Sequence, residues 1–391
     1  MKRICEICSS KNYAMFYSQK FFLPEKKLPF HYDVVCCRKC GFVFASHALS
    51  QKKLDKFYQK NIKYAYHAQK GNLPGYAQYL HRRSFLFIDS FLRKSYNNFD
   101  KSKFNILDVG CASGNLLNNF KKRGYKSLLG IDPAPECSFN AEKLYGLQVI
   151  PLSLSHYHTD LVFDLIIFAS VLEHIGNLNE VLTKASLMLK DDGILFISVP
   201  DVENFGTLLT EPFLEFSLEH INYFTQRSLT NLVSKFGFSN LQFNSFAVEL
   251  YGGYALDSLW RKTGTKKQIK HDMLGKRKIT NYIQKSSKIL EKVIAIINSL
   301  VKTQEKIIVW GAGSLTSRLL ATTNLKSANI QAFVDSDPSL HGKKLNGISI
   351  VSPDILKSRK MSVFIVTYIH SQEIKQILLE KYHYKGNILF L

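Results

Sequence analysis

A doubly wound α/β sheet, preceded by a small metal-binding segment and followed by a second, smaller α/β unit, is the fold class that three observations predict. Between residues 73 and 250, short apolar runs alternate with stretches of helical periodicity, the order that a parallel sheet with crossover helices requires. Two of those runs end in an acid, Asp108 and Asp132, with glycines spaced just beyond the first. Two C-x-x-C pairs stand near the start of the chain, and a second glycine-rich junction between strand and helix stands near its end. At 391 residues the chain exceeds one ordinary core. It divides into three blocks: a metal-binding segment over 1–70, the main sheet over 71–250, and a connecting helix with the second unit over 251–391.

Each element of the middle block is readable from its pattern. Apolar residues at helical spacing (Leu80, Phe85, Ile88, Phe91, Leu92) predict a helix leading to a strand at Ile106, and a helix over 116–122 leads to a strand at Leu128. A helix near Ala141, a strand over 148–150, a strand over 163–169, a helix ending at Leu189 and a strand over 193–199 follow. The run over 163–169 is nearly all apolar, as suits a central parallel strand covered on both faces. A helix over 228–236 then precedes two short runs, 241–243 and 246–250, expected to close the sheet as an antiparallel hairpin.

The segment over 105–114, N-I-L-D-V-G-C-A-S-G, carries the chemistry. A nicotinamide fingerprint opens G-x-G directly after its strand; here Asp108 stands two residues before the first glycine, and the spacing is Gly110-x-x-x-Gly114. Gly110 and Gly114 are expected to let the backbone approach a ligand closely. Eighteen residues beyond Gly114, the run L-L-G-I-D stops at Asp132, placed to accept hydrogen bonds from both hydroxyls of an adenosine ribose. The paired acids point to S-adenosylmethionine as the cofactor. The run over 163–169 continues into Ser170-Val171-Leu172-Glu173-His174, at the sheet end where such folds bind ligands.

Two further clusters stand out. Cys5-x-x-Cys8 and Cys37-x-x-Cys40 each place two thiolates on one tight turn, a spacing suited to a single tetrahedral structural zinc, with Gly41 supplying permissive backbone. Four cysteine ligands leave no position for substrate, so this site is not expected to be catalytic. Glu219-His220, after the fifth strand, sets a carboxylate beside an imidazole; it reads either as a base near neutral pH or as a loop-pinning motif. Tyr64-Ala65-Tyr66-His67 is aromatic for a linker, and serves either domain packing or substrate contact. A helix is expected over 50–58.

Of the net charge of +21, a large share lies over 261–306, where thirteen Lys or Arg meet three acids. Apolar residues at helical spacing from Ile279 to Leu300 make this a long connecting helix with a Lys-rich solvated face; the aromatics that nucleic-acid stacking needs are nearly absent. No run is long enough to span a membrane and the first residues do not form a secretory signal, so a cytoplasmic chain is expected. At the back, a strand over 307–310 runs into Gly311-Ala312-Gly313-Ser314 and a helix, and a strand over 332–334 ends at Asp335.

With V-W-G-A-G at Val309 and F-V-D-S-D-P-S-L-H-G at Phe333 added to these motifs, the chain resembles, over nearly its whole length, the NDP-sugar C-methyltransferases of deoxysugar pathways. The resemblance implies a zinc ribbon, a class I S-adenosylmethionine-dependent methyltransferase core and a Rossmann-like C-terminal domain, with a nucleotide-linked 4-keto-deoxysugar as substrate. In that family a Tyr-x-Glu-His element supplies catalytic residues; it falls here on Glu219 and His220, with Ser217 in place of the tyrosine. A family Asn-His pair matches Ile369-His370, and an asparagine often found after the fourth strand matches Ser170, counted here among the cofactor-binding residues. On this reading His220 is the base that removes a proton beside the ketone, Glu219 orients it, and Tyr64 or Tyr66 hydrogen-bonds the enolate oxygen. O-methylation of a sugar nucleotide or glycan precursor, which needs no enolate, is the alternative; a zinc-ribbon protein that binds or methylates RNA is another.

Overall fold

The computed structural model describes residues 3–23, 30–47, 51–60, 75–96, 99–249 and 252–391. The chain divides into two compact units: Met1–Ala14, Val35–Phe205 and Glu219–Lys278 in the first, and Met15–Val34, Gly206–Leu218 and Ile279–Leu391 in the second. Tyr64 and Tyr66 lie outside the described residues. Among the described residues no helix is long and apolar enough to cross a membrane.

The strands in chain order are β1 (Tyr13–Phe21), β2 (Phe30–Cys37), β3 (Val43–Ala45), β4 (Ile106–Val109), β5 (Leu128–Ile131), β6 (Val149–Ile150), β7 (Phe163–Ala169), β8 (Leu189–Pro200), β9 (Asn222–Tyr223), β10 (Phe238–Val248) and β11 (Gly253–Lys262). A seven-stranded sheet in the order β10-β11-β8-β7-β4-β5-β6 forms the frame of the first unit. Its β4 to β8 pair in parallel, with the helix Gly75–Ser95 ahead of β4 and the helices Asn115–Lys122, Pro135–Tyr145 and Leu178–Met188 between them in sequence. Both faces are covered by apolar clusters: Val109, Ile166, Phe168 and Ile197 on one, Ile106, Leu165, Ile167 and Phe196 on the other. The alternation of these residues along β7 is what a strand buried on both sides shows.

The end of this sheet differs from expectation. Residues 241–243 and 246–248 do not form a hairpin with each other; they belong to one strand, β10, which carries an irregularity between Asn240 and Gln242. Its antiparallel partner is β11, which inserts between β10 and β8, so the sheet continues to Lys262 and not to the block boundary at 250. The sequence obscured β11 because Asp257 and Ser258 interrupt its apolar run and Arg261 and Lys262 end it, although Leu256, Asp257, Ser258, Leu259 and Trp260 are all buried.

The cysteine-bearing front end shares this core. Cys5, Ile7, Val35, Cys37, Cys40, Phe42 and Phe44 belong to the same buried cluster as Leu107, Phe168 and Trp260. Sheet packing therefore supplies apolar burial to the front end. Pairing of β3 with β9, antiparallel at Val43 with Tyr223 and Phe44 with Asn222, joins it to the segment after β8.

The second unit holds β12 (Ile307–Trp310), β13 (Ile330–Val334), β14 (Lys344–Leu345), β15 (Ile348–Val351), β16 (Ser362–Ile365) and β17 (Ile388–Phe390), ordered β14-β15-β13-β12-β16-β17 and parallel except at β14. The long basic helix is Met273–Thr303. It is more than a connector: Val293, Ile297 and Leu300 enter the core formed by Ile307, Leu319, Phe333 and Phe364, while Lys285, Lys288 and Lys292 stay exposed.

Trp260 tests the reassignment of β11, since its ring is fully buried and its Nε1 donates to Ser258 Oγ at 2.8 Å. Trp260→Ala should lower unfolding free energy by about 3–5 kcal/mol. A loss below about 1 kcal/mol in chemical denaturation would place 253–262 outside the core.

Candidate functional site

Three groups of side chains meet at the loops of the first unit. In the first, β4 ends one residue before Gly110, whose φ of +68° and whose approach to Val171 both demand glycine: a Cβ would lie 2.7 Å from Val171 Cγ2. Gly114, at φ +76°, precedes the helix Asn115–Lys122, and a Cβ there would lie 3.2 Å from Leu147. At Gly110 a Cβ would strike Val171 of the protein itself, while at Gly114 the Leu147 side chain would have to give by a few tenths of an ångström. Between them Ala112 is held at φ +46°, a left-handed conformation that costs an L-residue roughly 1–2 kcal/mol.

What holds that turn is Asp132. Its Oδ2 accepts from the Ala112 N–H at 2.9 Å and its Oδ1 from the Ala134 N–H at 3.0 Å, while the Gly110 N–H donates to the Ile131 carbonyl at 2.7 Å. The Cys137 thiol also donates to this carboxylate, which leaves one of its about four lone-pair sites for ribose recognition beside the backbone clamp. Asp108 is different: it is buried, and its Oδ1 has no hydrogen-bond partner among the described residues. Burial, and then the charge of Asp132, push its carboxyl well above the usual carboxylate range. An orphaned buried carboxylate beside a glycine turn fits the cationic end of S-adenosylmethionine, and the remaining lone pair of Asp132 fits a ribose hydroxyl. Ser170, exposed and at φ +58°, follows β7 beside Val171, and its N–H donates to the Ser198 carbonyl at 2.9 Å.

The second group is the four cysteines. Cys5 Sγ lies 3.4 Å from Cys40 Sγ and Cys8 Sγ 3.4 Å from Cys37 Sγ, with all four sulfurs within 4.8 Å of one another. Tetrahedral zinc with bonds of about 2.3 Å spaces its sulfurs roughly 3.8 Å apart, so the set matches such an ion. Gly41, at φ +81°, turns the chain where a Cβ would collide with the Asp272 carbonyl; the Asp272 N–H in turn donates to the Cys40 carbonyl at 2.9 Å.

The third group joins two segments that are distant in sequence. The Ile221 N–H donates to the Glu173 carbonyl at 2.8 Å, and the Asn222 amide donates to the Leu172 and Ile175 carbonyls at 2.8 and 2.7 Å. Arg3 completes the join, donating to Asn222 Oδ1 at 2.8 Å and to the Ile221 carbonyl at 2.9 Å. As a result His174 and His220 lie with ring centroids 5.0 Å apart, and His174 Nδ1 meets the Glu219 carbonyl at 3.1 Å. Glu219 was expected to orient His220 through its carboxylate. That carboxylate receives the Tyr58 hydroxyl at 3.4 Å, and the Glu219 carbonyl meets His174 Nδ1. The carbonyl of Ser217 accepts from the Tyr32 hydroxyl at 2.7 Å. Sequence reading missed Arg3, Tyr58 and Asn222; only Asn222, next to the histidine motif, offered a local signal.

The second unit repeats the acid clamp. The Gly311 N–H donates to the Val334 carbonyl at 2.8 Å, the Ala312 N–H to Asp335 Oδ2 at 2.8 Å, and the Asp337 N–H to Asp335 Oδ1 at 2.9 Å. These bonds match, one for one, those of Gly110, Ala112 and Ala134 around Asp132.

A seven-stranded sheet of this order, with an acid-clamped glycine turn at its carboxyl edge, defines a class of nucleotide-binding α/β domain. Residues 75–243 match the family described as a methyltransferase domain, and residues 303–388 match a family described as C2185-like, N-terminal. The chain carries a methyltransferase domain. Among curated relatives, the ubiquinone biosynthesis O-methyltransferase of Rickettsia prowazekii (strain Madrid E) is 26% identical over 158 residues, covering 39% of this chain and 60% of that protein. The (S)-coclaurine N-methyltransferase of Papaver somniferum is 32% identical over 99 residues, covering 24% of this chain and 28% of that protein. The chain thus spans less than two thirds of the length of either relative. Of the solved structures, the 1,6-didemethyltoxoflavin-N1-methyltransferase of Burkholderia thailandensis, bound to 1,6-didemethyltoxoflavin and S-adenosylhomocysteine, aligns with a TM-score of 0.43 and 15% identity over 58% of this chain and 97% of that one.

The buried Asp108 makes a pH prediction. Its folded-state pKa is raised, so the stability it contributes is full below the unfolded carboxylate pKa and is lost as pH rises through the folded one. Asp108→Asn cannot ionise and escapes that loss. Without cofactor, the variant should melt higher than the parent by an amount that grows with pH, reaching on the order of 1 kcal/mol or more. Parallel melting profiles across the pH range would show that Asp108 is not held at this cost.

Proposed function

We propose that the chain is an S-adenosylmethionine-dependent methyltransferase whose acceptor is a nucleotide-linked 4-keto-deoxysugar, methylated on carbon through an enolate. The observation that carries the methyl-transfer reading is the pairing of a hydrogen-bond-orphaned Asp108 with the clamped Asp132 at one glycine turn, inside the span that matches a methyltransferase domain. When bound, S-adenosylmethionine supplies an electrophilic methyl group for in-line displacement. Asp108 and Asp132 hold it, and the Gly110–Gly114 turn shapes the backbone around it.

The acceptor side rests on the loop pair 172–175 and 219–222. His220 takes the proton beside the ketone, a step for which a positioned base is worth roughly 10²–10⁴ in rate. Glu219 fixes the neighbouring His174 through its carbonyl and ties Tyr58 through its carboxylate. The repeated acid clamp at Asp335 supports a Rossmann-like nucleotide site in the second unit, since the same turn there exposes the start of the helix Ser314–Thr322. The four cysteines hold structural zinc and tie the turns at Cys5 and Cys37 together. The O-methyltransferases among the relatives support O-methylation as a second reading, in which His220 deprotonates a hydroxyl.

Asp132→Ala should weaken S-adenosylhomocysteine binding by about tenfold or more in calorimetry while zinc content stays at one per chain; unchanged affinity defeats the cofactor assignment. With a 4-keto sugar nucleotide in deuterated buffer and no methyl donor, the parent should exchange the α-hydrogen, and His220→Ala should lose roughly 10²-fold or more of that rate. No exchange together with an O-methyl product selects the second reading.

A further inference from the structure

We infer that Glu173, His174 and His220 form a second metal site, separate from the four cysteines, which takes a divalent transition-metal ion such as Zn2+ or Co2+ through one carboxylate oxygen and two imidazole nitrogens. One ligand atom from each residue lies within 4.8 Å of the others.

The tautomer of His174 points the same way. Its Nδ1 faces the Glu219 carbonyl at 3.1 Å, and a carbonyl only accepts, so Nδ1 carries the hydrogen and neutral His174 presents a lone pair at Nε2. That nitrogen faces Glu173 Oε1 at 3.8 Å, too far for a hydrogen bond. Two electron-pair donors therefore oppose each other, and a cation between them removes the conflict. Glu173 adds a second reason: it is 1% exposed, and its Oε2 has no hydrogen-bond partner among the described residues.

The surroundings match those of metal-bound imidazoles. A ligating histidine usually donates its other ring N–H to a carbonyl or carboxylate, which fixes the ring, and His174 does so. The Tyr58 ring meets His174 edge-on with centroids 6.0 Å apart. Both ligand-bearing segments are locked together by the Ile221 N–H on the Glu173 carbonyl and by the Asn222 amide, so the three side chains start from fixed backbone positions. Metal–ligand bonds of about 2.0–2.2 Å would require the side chains to close by roughly 1 Å, a rotamer-scale adjustment. Two imidazoles and one carboxylate suit Zn2+ or Co2+ better than Mg2+ or Ca2+, and three protein ligands leave a coordination position open.

The consequence rests on the reading of His220 as the base. Its ring nitrogen cannot bind an ion and accept a proton at once, so occupancy of this site and turnover exclude each other.

The test titrates Co2+ into the full chain with its four-cysteine site already loaded with zinc. One equivalent should bind with visible d–d absorption and without the sulfur-to-cobalt charge-transfer band that cysteine ligation produces. Glu173→Gln and His220→Ala should each weaken that binding at least tenfold, with thermal melting and S-adenosylhomocysteine affinity reporting that the fold is intact; if Glu173→Gln fails to fold, His220→Asn carries the same comparison. Binding only with the sulfur band, or affinity unchanged in the folded variants, overturns the site. Added Zn2+ should suppress turnover and a chelator restore it; full turnover with the site saturated overturns the exclusion. Absence of turnover in chelator-treated protein would count against the methyl-transfer reading alone, leaving the cobalt titration to decide the metal site.

Discussion

The side chain of Asn222 is the contact on which the loop pair 172–175 and 219–222 depends. Almost wholly buried, it uses both amide hydrogens on the carbonyls of Leu172 and Ile175 and its oxygen on Arg3. A buried amide with its donors and acceptor filled is strongly directional, because any displacement leaves a polar atom unpaired at a cost of about 1–3 kcal/mol. It fixes the segment after β7 against the segment that carries Glu219 and His220. Together with the Ile221 N–H on the Glu173 carbonyl, that join brings together two histidines forty-six positions apart. Arg3 is drawn in by the same bond, which ties the first described residue to the loop pair even though burial lowers its own pKa to about 10.

The cofactor side obeys a different economy. Asp132 is satisfied by backbone N–H groups and braces a turn that includes Ala112 in a left-handed conformation. Asp108, on the neighbouring strand, is buried with one oxygen unpaired. Burial raises the carboxyls of both, Asp108 well above the usual range, and for Asp132 the Ala134 and Ala112 N–H groups offset part of that rise. This division explains why two chemically equivalent side chains at the ends of adjacent parallel strands have unlike roles. Asp335 repeats the bracing role in the second unit with nearly the same distances, so the clamp belongs to the glycine turn itself and not to one ligand.

Much of the frame was legible because it is local. β4, β5 and β7 are short apolar runs bounded by polar turns, and the helices between them carry their own periodicity. The helix Met273–Thr303 was legible by the same criterion, although its burial in the second core was not. β11 was not legible: Asp257 and Ser258 sit mid-strand and are buried only because β8 and β10 flank them on both sides. The candidate site residues divide in the same way. Asp108, Gly110, Gly114, Asp132 and the paired cysteines are close in sequence or regularly spaced, whereas Arg3, Tyr58, Glu173 and Asn222 acquire meaning only from partners elsewhere in the chain.

By itself the sequence determined the methyltransferase-type sheet, the glycine turn with its two acids and the convergence of four cysteines in two tight pairs, since each is encoded by periodicity or by ligands a few residues apart. Tertiary structure alone decided that Glu219 braces His174 and Tyr58, that Glu173, His174 and His220 converge, and that β11 completes the sheet. The physical reason is that hydrogen bonds between distant segments set which lone pairs face one another, and no local pattern of residue types records the direction in which a carbonyl or an imidazole nitrogen points.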